Sequence, residues 1–263
     1  NLKKLIFLDI GSRGELPKEW NWFIKNNYQL EVHTFDIDLN AELKKNKNVN
    51  YVNHNYGLFS SSEPKIFYLC EDQSRSSCFK PNPEIAIFES KHHQTRLKYK
   101  ELNIKEIKTI DNKFKNYKKI DFIKCDTQGS EFDISLGAKK TLINNCPIVA
   151  METWCENVYD DAPLDFKIRA FYQEIGFQLF ATDIAAAWRY ESNSHFPLSR
   201  QRIIGENLLY IPRLEMFEKL AKDQILSKIP ILCFFGFYDY SYQILKKFDF
   251  MDYLPHVKNL YSD

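Results

Sequence analysis

Asp121-Phe122-Ile123-Lys124-Cys125-Asp126-Thr127-Gln128-Gly129-Ser130-Glu131 is the stretch that decides the fold. It is entered from the apolar residues Ile120 to Ile123 and left through Leu136-Gly137-Ala138. The pattern predicts a strand that carries Asp126 to its carboxyl end, then a glycine turn that opens a helix. Open α/β sheets bind ligands in the crevice outside the carboxyl ends of their strands, so Asp126 is expected to face a cleft rather than a core. An aspartate capping the following helix gives the same pattern, and the residues alone leave both roles open.

On the N-terminal side, Leu5 to Ile10 is a short apolar run ending in Asp9-Ile10-Gly11, as in a strand buried on both faces of a parallel sheet. Glu15 to Asn26 follows as a helix, with Pro17 near its start and Trp20, Phe23 and Ile24 on one face. Leu30 to Phe35 reads as a second strand, Leu39 to Lys45 as a helix and Val49 to Asn53 as a third strand. Lys65 to Leu69 adds an extra strand, and Glu71 to Pro83 is a serine-rich polar loop. After Ile120 to Cys125 come a helix over Ser130 to Asn144, a strand over Pro147 to Met151 and a helix over Leu164 to Ile175 stopped by Gly176. Phe177 to Thr182 and Asn207 to Ile211 are the last strands, separated by the irregular segment Ala187 to Arg202. Such alternation predicts a doubly wound, mostly parallel α/β sheet with right-handed crossovers.

Past Pro212 the pattern changes to amphipathic helices, Leu214 to Lys228 and Tyr240 to Phe248. The aromatic run Phe234-Phe235-Gly236-Phe237-Tyr238 is expected to pack against the sheet or a second copy of the chain.

Composition narrows the function. The chain has 263 residues, 44% hydrophobic and 27% charged, which suits one α/β domain with an extension. Its 36 basic and 35 acidic side chains nearly cancel, so no net field favours nucleic acid or an anionic membrane. The six cysteines show neither Cys-x-x-Cys nor zinc-finger spacing, and reduced cytoplasmic thiols are the simplest account. The most apolar stretch, Ile229 to Tyr238, is too short to span a bilayer, and no signal-peptide pattern stands at the start.

Two places suit a nucleotide-like ligand. Asp9-Ile10-Gly11-Ser12-Arg13-Gly14 lies between the first strand and helix, where glycines let a ligand approach the backbone and helix amides favour an anionic group. A dinucleotide fingerprint wants another glycine at position 16, where Leu16 stands, so a carboxylate-bearing ligand fits better than NAD. Asp36, at the tip of the second strand, is placed to accept hydrogen bonds from ribose hydroxyls, with Asp38 the second choice.

These motifs, with Phe35-Asp36-Ile37-Asp38, Ser76-Ser77-Cys78-Phe79-Lys80-Pro81-Asn82, Ile107-Lys108-Thr109-Ile110-Asp111 and Asn207-Leu208-Leu209-Tyr210-Ile211-Pro212-Arg213, resemble FkbM-type methyltransferases in order and spacing. The resemblance implies a class I, Rossmann-like methyltransferase sheet of seven strands over residues 1–213, with a helical C-terminal extension over residues 214–263. It implies S-adenosyl-L-methionine as cofactor and an O-methyltransferase of the kind that acts on sugars, polyketides or related metabolites, with a hydroxyl of a sugar or nucleotide sugar the acceptor expected here. The AT-rich bacterial flavour of the composition adds surface-polysaccharide synthesis to that expectation. The cofactor-binding residues expected are Asp9, Gly11, Ser12, Arg13, Gly14, Asp36, Ile37, Asp38, Tyr56 and Asp126. The chain departs from the family at Ser12 and Arg13, often alanine and asparagine, and at Asp36, often glutamate.

A hydroxyl acceptor must lose its proton, and a general base contributes roughly 10² to 10⁴ in rate. The candidates are Asp126 first, His195 second and Glu152 third. Asp126 and Glu152 close neighbouring strands and can share one crevice; His195 lies in the long segment before the last strand. No metal ligands are assigned. Arg75, Lys80, Arg189, Arg200 and Arg202 are candidate partners for acceptor phosphates. The partner expected is a small molecule, without nucleic acid or membrane insertion. An NAD-linked oxidoreductase or epimerase and a non-catalytic assembly module are the rival readings.

Overall fold

The computed structural model describes residues 4–12, 16–37, 47–86, 97–190 and 198–262. Among the described residues eleven strands form: β1 Lys4–Ile10, β2 Gln29–Phe35, β3 Val49–His54, β4 Gly57–Leu58, β5 Lys65–Cys70, β6 Tyr99–Ile104, β7 Ile107–Lys108, β8 Phe122–Cys125, β9 Ile148–Trp154, β10 Phe177–Trp188 and β11 Arg202–Pro212. Seven of them make one sheet in the order β10-β11-β9-β8-β1-β2-β3. β3, β2, β1, β8 and β9 run parallel, and β11 pairs antiparallel with both β9 and β10. The seven expected strands are therefore the seven of this sheet. Because β1 pairs with both β2 and β8, the strand order reverses there, and the crevice opens above their carboxyl ends.

Period-two alternation in β1 sends Leu5 and Phe7 to one face and Leu8 and Ile10 to the other, each 2% exposed or less. The Leu8 face packs under the helices Ile110–Phe114, Lys139–Asn145 and Asp165–Glu174. The Phe7 face packs under Trp20 and Phe23 and under residues 217–260. Phe7 meets Trp20, Phe23 and Phe122 at ring distances of 5.0, 5.2 and 5.2 Å, and Phe235 meets Phe122 at 5.7 Å. Each such ring removed from water stabilises the fold by roughly 1.5–3 kcal/mol. The C-terminal helices are thus bonded into the sheet's own core. Lys228, fully buried, donates to Asp121 Oδ1 at 2.8 Å and to the Ile120 carbonyl at 2.7 Å.

Several elements differ from expectation. The helix over Ser130 to Asn144 is two helices, Glu131–Leu136 and Lys139–Asn145, broken where a β-carbon on Gly137 would stand 2.2 Å from the Phe59 carbonyl oxygen. Glu15 to Asn26 is a 3-10 turn, Lys18–Trp20, running into a short helix, Asn21–Lys25. Leu214 to Lys228 is likewise a 3-10 turn, Leu214–Lys219, and a helix, Lys222–Leu226. Helices Ile229–Phe234 and Leu254–Ser262 were not expected, and Tyr240 to Phe248 begins earlier, as Tyr238–Lys247. β10 and β11 run into the segment expected to be irregular, and β6 is an unforeseen partner for β5. The helix over Leu39 to Lys45 lies outside the described residues. Among the described residues no helix is long and apolar enough to cross a membrane. All six cysteines are free thiols.

Candidate functional site

The site begins where β1 ends. Gly11 adopts φ +79°, a conformation open to glycine, and a β-carbon there would stand 1.9 Å from the Asp126 carbonyl oxygen. The N–H groups of Gly11 and Ser12 both donate to the Phe35 carbonyl, at 3.0 and 3.3 Å. The first loop is thereby tied to the end of β2 while pressed against the end of β8.

Beneath it lies a charged cluster. Asp9 is 2% exposed, and Lys124 Nζ stands 3.5 Å from Asp9 Oδ1 and 3.7 Å from Asp126 Oδ2. Burial pushes the Asp9 carboxyl up, against the pull of Lys124. For Lys124, burial works to lower the ammonium, but Asp9 and Asp126 outweigh it and hold it above its ordinary value.

The turn after β8 is fixed by one carboxylate. Glu131 Oε1 accepts from the N–H of Thr127 at 2.7 Å and its hydroxyl at 3.0 Å, and Oε2 accepts from the N–H of Gly129 at 2.9 Å. Burial pushes Glu131 up to about 7, opposed by backbone donors, the Thr127 N–H among them. Between them Gln128 sits at φ +60°, left-handed backbone costing of order 1–3 kcal/mol for a residue with a side chain. Ser77 Oγ donates to the Gln128 carbonyl at 2.6 Å. That geometry turns the Gln128 side chain back over the strand ends, where Nε2 donates to Asp126 Oδ1 at 2.9 Å and to Glu152 Oε1 at 3.1 Å. Burial, and then the neighbouring Asp126, raise the Glu152 carboxyl.

A cavity of about 630 Å³ runs across these groups, within the range of small-molecule sites. Gly11, Asp36, Ile37, Tyr56 and Ile107 line it together with Arg75, Asp126, Gln128, Glu152, Trp154 and Trp188. Asp36 and Ile37 follow directly on β2. Tyr56 turns its hydroxyl toward His54 Nδ1, 3.4 Å away, and Lys108 Nζ lies 4.1 Å from its ring centre.

Of the expected residues, Gly11, Asp36, Ile37, Tyr56, Asp126 and Glu152 line this one cavity. Asp9 and Ser12 are buried and do not line it. Arg13, Gly14, Asp38 and His195 lie outside the described residues. Of the candidate phosphate partners, Arg75 lines the cavity. Arg202 instead pairs with Glu156 at 2.8 Å and stacks on Tyr190, and Arg189 donates to the Ser199 carbonyl at 2.9 Å. Gln128, Trp154, Trp188 and Tyr159 were missed. Only the position of Gln128 between the acid and the glycine hinted at a role.

Cys155, Asp165 and Glu206 approach closely enough to share an ion, yet both carboxylates are committed to Arg169, whose Nε donates to Asp165 Oδ2 at 2.9 Å and whose second amine donates to Glu206.

Asp36 brings a carboxylate to the cavity wall and Ile37 and Ile107 bring apolar surface, while the Asp126 carbonyl takes the space that a Gly11 β-carbon would fill.

A family model described as the methyltransferase FkbM domain matches residues 13–179. Among solved structures, a methyltransferase FkbM from Methylobacillus flagellatus KT aligns at 12% identity and TM-score 0.37, covering 78% of this chain and 44% of that one. A precorrin-6y C5,15-methyltransferase from Geobacter metallireducens GS-15 aligns at 10% identity and TM-score 0.34, covering 80% of each chain. This chain thus spans less than half the length of the first of these. Comparison with curated proteins gave no match.

Proposed function

We propose that this chain, which belongs to the FkbM methyltransferase family, is an S-adenosyl-L-methionine-dependent O-methyltransferase acting on a hydroxyl of a sugar or nucleotide sugar. The observation that carries the reading is the pairing of Asp126 with Glu152 in the cavity that Asp36 also lines. S-adenosyl-L-methionine, when bound, supplies an electrophilic methyl carbon whose bonding electrons leave with the sulfur. Asp36 would hold the ribose hydroxyls, Ile37 and Tyr56 the adenine ring, and the Gly11–Ser12 backbone the centre of the cofactor; Arg13, Gly14 and Asp38 keep their proposed parts in the same loops. Asp9 acts from below through Lys124, which keeps Asp126 aimed upward.

At the acceptor end, an oxygen held close to and in line with the methyl carbon gains most of the available acceleration from position alone. Its proton passes to a carboxylate oxygen as the new carbon–oxygen bond forms. Asp126 remains the first choice of base, with His195 second and Glu152 third. Glu152 gains from burial, which moves its affinity for a proton toward the useful range. Trp154 and Trp188 offer aromatic walls to a sugar ring, and Arg75 offers a guanidinium to a phosphate. We keep residues 1–213 as the methyltransferase domain and residues 214–263 as an extension covering one face of its sheet. Surface-polysaccharide synthesis in a bacterial cytoplasm completes the reading.

The test is incubation with methyl-labelled S-adenosyl-L-methionine against a panel of nucleotide sugars, with label expected in one acceptor. Binding of NADH without binding of S-adenosyl-L-methionine would replace this reading with the oxidoreductase one. Binding of neither would favour an assembly module.

A further inference from the structure

Asp126 and Glu152 come from neighbouring strands, yet their carboxylates share one donor, Nε2 of Gln128, at 2.9 and 3.1 Å. An amide nitrogen carries two hydrogens, so each acid receives its own. The other end of the amide is held as well: the Tyr159 hydroxyl divides its one hydrogen between Gln128 Oε1 at 2.9 Å and the Arg75 carbonyl at 3.1 Å. A flipped amide would face its oxygen to two carboxylates and its N–H groups to the tyrosine, losing both charge-assisted bonds. Tyr159 is 1% exposed, which holds it in place. Below, Glu131 grips Thr127 and Gly129 on either side, and Ser77 grips the Gln128 carbonyl, so the side chain starts from a fixed point. Gln128 also lines the cavity, although a left-handed glutamine is a costly way to build a turn beside Gly129, which already supplies φ +119°.

We propose that Gln128 is a positioning residue that binds Asp126 and Glu152 into a single two-armed proton acceptor for the substrate hydroxyl, with Tyr159 locking its amide in the donating orientation. This deepens the methyl-transfer reading and rests on it. Lys124 from β8 and Arg75 from the turn Gln73–Arg75 favour the ionised pair, whereas Asp9 from β1 and Glu131 from the helix after β8 oppose it. Gln128 adds no net charge. Its loss changes how the two acids hold a proton while leaving that field intact.

The experiment is a ¹³C-carboxyl NMR titration of Glu152 in the cofactor-free protein, its resonance assigned with Glu152→Gln, beside the pH profile of methyl transfer. Removing a donor from the ionised form raises the affinity for a proton. Gln128→Leu should therefore move the Glu152 midpoint up by about one pH unit, tenfold in proton affinity. Tyr159→Phe should move it the same way by less. Turnover should fall by about 10- to 100-fold in Gln128→Leu, its acid limb displaced in the same direction, with KM for S-adenosyl-L-methionine within about twofold. An unmoved Glu152 midpoint in both variants overturns the proposal, as does a rate loss with no change in the pH profile. If Gln128→Leu does not fold, Tyr159→Phe decides alone by the same criteria. A titration that moves in a protein that methylates no acceptor overturns the methyl-transfer reading and leaves the coupling of the two acids standing.

Discussion

Gly11 and Asp126 meet backbone to backbone at the carboxyl edge of the sheet, with only 1.9 Å between the Asp126 carbonyl oxygen and the place a Gly11 β-carbon would occupy. The two residues directly follow the adjacent strands β1 and β8, so this contact closes the crevice between them. Gly11→Ala must move one loop, and it also strains a backbone at φ +79° by about 1–2 kcal/mol. The expected outcome is at least a tenfold loss of affinity for S-adenosylhomocysteine by calorimetry, together with a lower melting temperature. Parent-like affinity in this variant would show that the loop does not touch the cofactor.

Asp36 lines the same cavity. Its carboxylate offers charged hydrogen bonds worth about 1.5–3 kcal/mol each. Asp36→Ala should weaken S-adenosylhomocysteine binding by roughly tenfold or more while leaving thermal stability near that of the parent. A loss of stability without loss of binding would make Asp36 a structural residue.

Lys228 and Asp121 form a fully buried ion pair, joined by Ser227 Oγ and by the N–H of Ile6. Removing Lys228 leaves the buried Asp121 to the partly exposed Lys119, whose Nζ is 3.3 Å away, a weaker compensation than the buried partner gave. Lys228→Met is expected to lower unfolding free energy by about 3 kcal/mol in urea titrations. Adding Asp121→Asn to it should return part of that loss. Additive losses in the double variant would mean that the two residues do not act as a pair.

His33 and His54 lie buried on β2 and β3, Nδ1 to Nε2 at 2.9 Å. Burial, then Lys113 and His33, lower His54 from its ordinary value to about 4. The unfolded chain takes up that proton near pH 6.5 and the folded one only near 4. The stabilisation is therefore complete above about pH 6.5 and drains away as pH falls toward 4. The urea midpoint should drop between pH 7.5 and 5, and His54→Gln should flatten that slope. Equal slopes in parent and variant would assign the acid sensitivity to other groups.

The sheet was legible because its strands are short apolar runs closed by Asp9-Ile10-Gly11, by Asp36 and by Asp126, and because glycine marks the turns. β6 was not, since Lys100, Glu101, Leu102 and Asn103 lie on an exposed ribbon and carry no alternation. The helix Ile229–Phe234 was missed for the opposite reason: Ile229 to Cys233 are all buried, and a helix covered on all sides shows no amphipathic period. The acids of the site announced themselves by their place at strand ends. Gln128 did not, because its role depends on a left-handed backbone that turns an uncharged side chain back onto two acids from different strands.

The burial of the Phe7 face beneath residues 217–260 bears on how the chain reaches this state. The central strand β1 needs β8 beside it, through Phe7 and Phe122, and then needs Phe235 and Ile229 above it. On an elongating chain, β1 therefore waits with an open, oily surface until residues 217–260 have been made. Closures at this separation make for slow folding and a long interval of exposure to aggregation. Expression yield, more than equilibrium stability, is the property most exposed to changes along the seam between β1 and the C-terminal helices.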